Sequence, residues 1–393
     1  MPDSSLRVDD DDRYSRLRLI PWWDQDRLRQ ACVLVVGAGA LGNEVLKNLA
    51  LVGVGHLIVV DLDVVEPANL TRSVLFRLRD RGRPKAEVAA GAIRELNPDL
   101  VVTAIHGNVL TSVGLGLFRD ADVVIGCLDN REARLWVNRC CWKMTTPWID
   151  GGIQELNGVV RVFTPPDSAC YECGMTENDY RLINLRYSCP LLRHEDLTAG
   201  RVPTVPTIAS LIGALQTQEA LKLIHGLPVS GGEVFVFNGV VSQSYRTRIQ
   251  RREDCLSHET YAEPTELPLQ ARLHTAADLF AAVRPHLGDG ELQLSLDRDL
   301  VVSLACERCG VREQVLQPLP LVGMQRAKCP QCGEASRPLI VHAVESSGPL
   351  AGERLASLGI PPYGIVRVAS RDTEGAFLLA GDRQEIVGSS AEP

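Results

Sequence analysis

The sequence predicts an α/β fold, a doubly wound Rossmann-like sheet followed by a smaller α+β domain with a zinc ribbon. Three observations predict it. From about residue 31, short β-branched runs alternate with amphipathic stretches, the pattern of βαβ crossovers and of a sheet covered on both faces. The first run leads into Gly37-Ala-Gly39-Ala-Leu-Gly42, a G-x-G-x-x-G that opens a helix. Cysteine pairs at C-x-x-C spacing recur beyond residue 169, and 393 residues are too many for one ordinary core.

In chain order, Cys32–Val36, Leu57–Asp61, Val101–Ile105 and Asp122–Cys127 read as buried parallel strands. Leu41–Leu51, Lys85–Leu96 and Glu132–Trp142 read as the helices between them. Pro147–Asp150, Val159–Phe163 and Glu233–Phe237 follow as strands. Thr207–Ile224 reads as a helix, with Pro206 before it and Gly226 to stop it. Residues 174–205 read as a long irregular insertion, and residues 259–270, where Glu, Pro and Thr accumulate, as a linker. Beyond it the pattern predicts a helix at Ala276–Leu287, alternating strands over Leu292–Ala305, the Cys-rich segment and a βαβ-like end. The expected organisation is therefore an N-terminal segment (1–30), a nucleotide domain (31–258), the linker, and a C-terminal domain (271–393) holding a ribbon at 306–332.

Composition removes several functions. The formal charge of −8 argues against a nucleic-acid binder, whose affinity rests on neutralising phosphates. The most apolar stretches, Ala31–Gly42 and Leu49–Val60, fall short of the roughly 18 uninterrupted apolar residues of a membrane span. The first thirty residues carry the acidic run Asp9–Asp12 and no apolar region, so a cytoplasmic chain without a secretory signal is expected.

In the glycine loop, Gly37 permits the tight turn, Gly39 lets backbone approach phosphate, and Gly42 allows close helix–strand packing. Asp61 ends the next strand, where a carboxylate accepts hydrogen bonds from ribose hydroxyls. These features suit NAD as well as ATP. The stretch Asp61-Leu-Asp63-Val-Val-Glu66-Pro-Ala-Asn69-Leu-Thr-Arg72 separates them. A dehydrogenase has no use for the added Asp, Asn and Arg, whereas phosphates do: Arg72 offers a planar fork and Lys85 a point charge. Asp129, in Cys127-Leu-Asp129-Asn130 at the carboxyl end of the fourth strand, is a plausible Mg²⁺ ligand. Asp63 and Glu66 also admit a plainer reading as solvated loop charges.

These segments, together with Arg13-Tyr-Ser-Arg16, Pro84-Lys85, the Cys170/Cys173 pair and the helix from Thr207-Ile-Ala-Ser to Glu219-Ala-Leu-Lys222, resemble the adenylating enzymes that activate ubiquitin-like proteins. That superfamily includes the ThiF- and MoeB-like enzymes, and the resemblance spans residues 13 to about 258. It implies ATP·Mg²⁺ binding and attack of a β-grasp protein's C-terminal glycine carboxylate on the α-phosphate. Matched residue by residue, it implies that Asp61 holds ribose and that Asn69, Arg72 and Lys85 hold phosphates. It also implies that Asp129 takes the metal and that Arg16 reaches the phosphates of a neighbouring subunit in a homodimer. A conjugating-enzyme-like acceptor is a possible further partner.

Cys170, Cys173, Cys255 and His258 form one expected zinc site; the resemblance puts a second C-x-x-C where this chain has C-x-x-H. Cys306/Cys309 and Cys329/Cys332, nineteen residues apart, form a second, ribbon-type site. Cys32, Cys127, Cys140 and Cys141 read as small core residues. Cys189 lies in the insertion, where thioester-forming relatives carry their nucleophile, and is either a carrier thiol or a free loop thiol. The function expected is ATP-dependent adenylation of a ubiquitin-like protein, for sulfur transfer or conjugation. The alternatives are an NAD(P)-dependent oxidoreductase, which leaves Arg72, Lys85 and the zinc pairs idle, and a non-catalytic or other-substrate member of the same superfamily.

Overall fold

In the computed structural model, residue 9 and residues 11–188, 203–323 and 326–388 are described. The elements run α1 (Gln25–Gln30), β1 (Cys32–Val36), α2 (Ala40–Val52), β2 (His56–Asp61), α3 (Lys85–Leu96), β3 (Val101–His106), α4 (Val109–Ser112), α5 (Leu115–Asp120) and β4 (Val123–Gly126). They continue with α6 (Arg131–Lys143), β5 (Trp148–Gln154), β6 (Asn157–Phe163), α7 (Glu177–Ser188), α8 (Pro206–Ile224), β7 (Glu233–Asn238) and β8 (Gln243–Arg248). The second domain adds β9 (Thr265–Leu267), α9 (Ala276–Leu287), β10 (Gln293–Ala305), β11 (Arg312–Pro318), β12 (Arg337–Glu345), β13 (Ile365–Ala369), β14 (Glu374–Leu379) and α10 (Arg383–Val387).

The first sheet has the order β3-β2-β1-β4-β5-β6-β7-β8. The first five strands are parallel and the last three are added antiparallel. Strand order reverses between β1 and β4, so the connections leaving their carboxyl ends run to opposite faces of the sheet and leave a crevice, the place where ligands sit in such sheets. Core residues of β1, β2 and β4 alternate between the two faces. Val33 and Val35 join α2, α3 and α8 on one side, while Leu34 and Val36 join α5 and α6 on the other.

The α5–α6 face is completed by the C-terminal domain: Tyr363, Ile365, Leu378 and Val387 belong to its core. Tyr363 is fully buried; its hydroxyl donates to Asp120 (2.7 Å) and accepts from Arg119 (3.2 Å). Lys143 on α6 pairs with Asp297 on β10 (2.5 Å), and the Arg298 guanidinium lies 3.6 Å from the ring centre of Trp136. The second domain is therefore docked by a shared apolar core with polar contacts at its border.

Four expectations change. Residues 177–188 of the supposedly irregular insertion form α7; their polar composition hides the helix, because little apolar periodicity marks it. The linker at 259–270 contains β9, which pairs in parallel with β14. The βαβ-like end is instead the antiparallel β13–β14 hairpin followed by the five-residue α10. Leu292–Ala305 is one long strand, β10, which pairs with β11, β12 and β13.

Candidate functional site

A cavity of about 2050 Å³ opens at the carboxyl ends of β1 and β4. The glycine loop builds its edge. Gly37 has φ +101°, and a Cβ there would stand 2.4 Å from the Cys127 carbonyl oxygen. A Cβ on Gly42 would stand 1.9 Å from the Gly37 carbonyl oxygen. At Gly39 a Cβ would meet nothing within 4 Å among the described residues, because this glycine faces the cavity. Two glycines thus permit close packing and the third leaves space for a ligand. The N-terminus of α2 points its free N–H groups toward that space.

Asn43, the first polar residue of the helix, is buried and staples this loop. Its Nδ2 donates to the carbonyls of Ala38 (2.7 Å) and Gly39 (3.0 Å), while its Oδ1 accepts from the Leu75 amide (2.8 Å). Asp61 accepts from the amides of Ala38 (2.6 Å) and Asp63 (2.8 Å). Burial raises its carboxyl pKa, while Lys85 and those two amides pull it back.

Asp61, Asp63, Asn69, Arg72, Lys85 and Asp129 all line the cavity. Lys85 is held 2.8 Å from Asp63, which makes Asp63 a partner of that lysine as well as a loop charge. Asn69 accepts from the Glu66 amide (2.9 Å) and shapes the turn that carries Arg72. Arg72 donates to the Ala68 carbonyl (3.2 Å). Asp129 is exposed at the mouth.

Sequence reasoning missed the floor. Asp150 is fully buried and takes Arg134 on one oxygen (2.9 Å) and Arg161 on the other (2.7 Å). Arg134 also donates to the carbonyls of Leu128 (2.5 Å) and Gly151 (3.0 Å). Both arginines line the cavity. Gln216 on α8, also buried, donates to the carbonyls of Gly126 (2.9 Å) and Ile149 (3.3 Å) behind them.

Arg16 is exposed and does not line the cavity of its own chain. Nearby, Tyr14 accepts from Asn97 just past the end of α3 (2.7 Å) and packs against Gly53 just past the end of α2. The cavity lies at the opposite end of α2, about 20 Å away for thirteen residues of helix. Cys189 lies outside the described residues.

Cys170, Cys173, Cys255 and His258 bring their ligand atoms within 4.8 Å of one another, and so do Cys306, Cys309, Cys329 and Cys332. The separations are 3.5–3.7 Å from Cys170 to its two thiol neighbours, 3.4 Å from Cys173 to His258, and 3.4–3.5 Å across the second cluster. A tetrahedral site with bonds of about 2.3 Å needs ligand separations of roughly 3.8 Å, so both sets fit one ion each. Sulfurs so placed are too far apart for disulfide bonds, which need about 2.05 Å. The first cluster ties the segment after β6 to the end of the first domain, and Tyr171 and Met175 of that segment wall the cavity.

The chain matches the ThiF family over residues 12–257. It is 34% identical over 247 residues to the sulfur carrier protein ThiS adenylyltransferase of Escherichia coli (strain K12), covering 62% of this chain and 93% of that one. It is 34% identical over 260 residues to the adenylyltransferase and sulfurtransferase MOCS3 of Mus musculus, covering 65% of this chain but only 54% of that relative. Among solved structures, E. coli MccB with ATP is 26% identical with a TM-score of 0.54, covering 66% of this chain and 77% of that one.

Two outcomes are expected here. Gly39→Val leaves the melting temperature unchanged but weakens ATP binding in calorimetry, whereas Gly42→Ala lowers the melting temperature by several degrees because backbone must move. Metal analysis returns two ions per chain, and one ion in Cys255→Ser or in Cys306→Ser.

Proposed function

This chain belongs to the ThiF family, and from that premise we propose that it is an adenylyltransferase that activates the C-terminal glycine carboxylate of a ubiquitin-like β-grasp protein with ATP. The observation that carries this reading is the convergence of Asp61, Arg72, Lys85 and Asp129 on one cavity beside the open Gly39. An NAD(P)-dependent oxidoreductase would leave those two cations and Asp129 without a task.

In the proposed reaction a carboxylate oxygen of the tail bonds to the α-phosphorus, and the bond from that phosphorus to the bridging oxygen breaks to release pyrophosphate. Negative charge accumulates on the phosphate oxygens as the phosphorus becomes five-coordinate. Arg72 and Lys85 meet that charge, and the Asp63 carboxylate fixes the Lys85 ammonium in place. Asp61 orients the ribose. Mg²⁺ held by Asp129 would draw charge from the same phosphate oxygens when bound. Burial in the cavity strengthens each of these interactions by lowering the local dielectric.

Arg16 acts in trans in this reading, as the second arginine of R-Y-x-R. Its distance from its own cavity supports that assignment and the homodimer it requires. The two cysteine clusters hold zinc, whose tetrahedral preference suits three thiolates with an imidazole and four thiolates. With all four protein ligands supplied at each, their role is structural. ATP-dependent chemistry supports a cytoplasmic setting.

A relay through a thioester on Cys189 is the second step proposed. Supporting it, the other thiols outside the clusters are poor nucleophiles: burial pushes Cys32 and Cys140 up to about 12, and Cys127 and Cys141 are likewise raised by burial. A thioester would carry the acyl group toward an amine, as conjugation needs, through a conjugating-enzyme-like acceptor. Direct hand-off of the adenylate would suit sulfur transfer.

ATP–pyrophosphate exchange dependent on a cognate glycine-ended β-grasp protein tests the first step. Asp129→Ala and Arg16→Ala should each lower exchange by about 10²–10³-fold. Mixing the two variants should restore part of it, because one site of a mixed dimer keeps both groups. Tight NADH binding without exchange would sink the reading. For the relay, the expected result is a DTT-sensitive adduct that disappears in Cys189→Ala while exchange continues.

A further inference from the structure

The cavity is larger than a nucleotide needs. Small-molecule pockets run to roughly 300–1,000 Å³, so about half of the 2050 Å³ remains when a nucleotide occupies the glycine-loop end. Its lining continues past Asp129 to Leu319, Pro320, Val322 and Gly323, which belong to the C-terminal domain.

This turn is built firmly. The Val322 amide donates to the Leu319 carbonyl (3.1 Å), and the amides of Arg326 and Ala327 donate to the Gly323 carbonyl (3.0 and 3.2 Å). Leu319 and Val322 pack on a small core of Val301, Leu304 and Val315. The strand carrying that core is anchored to α6 through Asp297 and Arg298. The turn is therefore held against the first domain as a fixed wall.

Its chemistry selects an occupant. Among the described residues, this wall presents Leu319, Pro320, Val322 and Gly323, three apolar side chains and a glycine. The floor carries Arg134 and Arg161 on the single carboxylate of Asp150, a net positive site. An apolar wall on one side of a cavity with a cationic floor suits an extended chain whose terminal carboxylate reaches that floor. We propose that the Leu319–Gly323 turn is the outer wall of the channel through which the substrate's extended, glycine-ended tail reaches the nucleotide. The C-terminal domain is thereby a specificity determinant for that tail. The inference rests on the adenylation reading above.

Gly323 supplies the test, because among the described residues a Cβ there would meet nothing within 4 Å. Full-length wild type and the series Gly323→Ala, Gly323→Leu and Gly323→Trp would be assayed by ATP–pyrophosphate exchange. The tails would be E. coli ThiS and a synthetic octapeptide ending in Gly-Gly, with ATP affinity and melting temperature measured alongside. The expected result is a tail KM that rises with side-chain size, by about tenfold or more for Trp, at constant ATP affinity and melting temperature. If Gly323→Trp lowers the melting temperature, Gly323→Leu decides. Exchange in the wild type with a tail KM unchanged across the series would overturn the channel and leave the adenylation reading standing. A parallel loss of ATP affinity would overturn it too, by moving the turn onto the nucleotide. ATP binding by the wild type without exchange on either tail would sink the adenylation reading, and the channel with it.

Discussion

The nucleotide-facing half depends on how closely one helix approaches one sheet. Neither Gly37 nor Gly42 has room for a methyl group, since each presses backbone against backbone within 2.4 Å of where a Cβ would stand. That contact sets the start of α2 beside the end of β4, and everything around it follows. The helix aims its unpaired amides at the crevice, Asn43 locks the loop from beneath, and Asp61 is left where it accepts two backbone amides. The cavity is a product of packing before it is a product of charge.

The floor obeys a different rule. A fully buried carboxylate is costly unless paired, and Asp150 is paired twice, by arginines from α6 and β6. Apolar residues of equal volume would be no worse for stability. What the triad adds is position: it joins α6, β5 and β6 at the point where Arg134 also closes on the carbonyls of Leu128 and Gly151. Two guanidinium groups are thus held at fixed places facing the crevice.

What was legible in the sequence was what is local. The glycine loop, the strand-end Asp61 and the cysteine spacings each sit within a few residues, and their physical demands are written in that spacing. Arg134 and Arg161 were not legible, because an arginine in an amphipathic helix or an alternating strand reads as solvated until the fold turns it inward against Asp150. A polar residue at the start of a helix, such as Asn43, likewise gives no local sign of the buried contacts it makes. The Leu319–Gly323 turn meets the cavity only because two domains dock, about 190 residues of chain beyond Asp129. β9 escaped because three residues rich in Glu and Thr carry no pattern, and only its partner β14 makes it a strand. The family match ends at residue 257, so resemblance gave no help there.

The pairing of β9 with β14 bears on the order in which this protein is made. A chain leaving the ribosome has produced every strand of the first sheet by residue 248 and every ligand of the first cluster by residue 258. Its second sheet is completed only when residues 374–379 have been made. Until then the α5–α6 face of the nascent first domain lacks Leu378 and Val387, which complete its core. Chains that stop before residue 374 therefore display an apolar face that longer chains cover, the kind of surface that chaperones and proteases recognise. Strand β14 thus separates chains that can close both cores from chains that can close only the first.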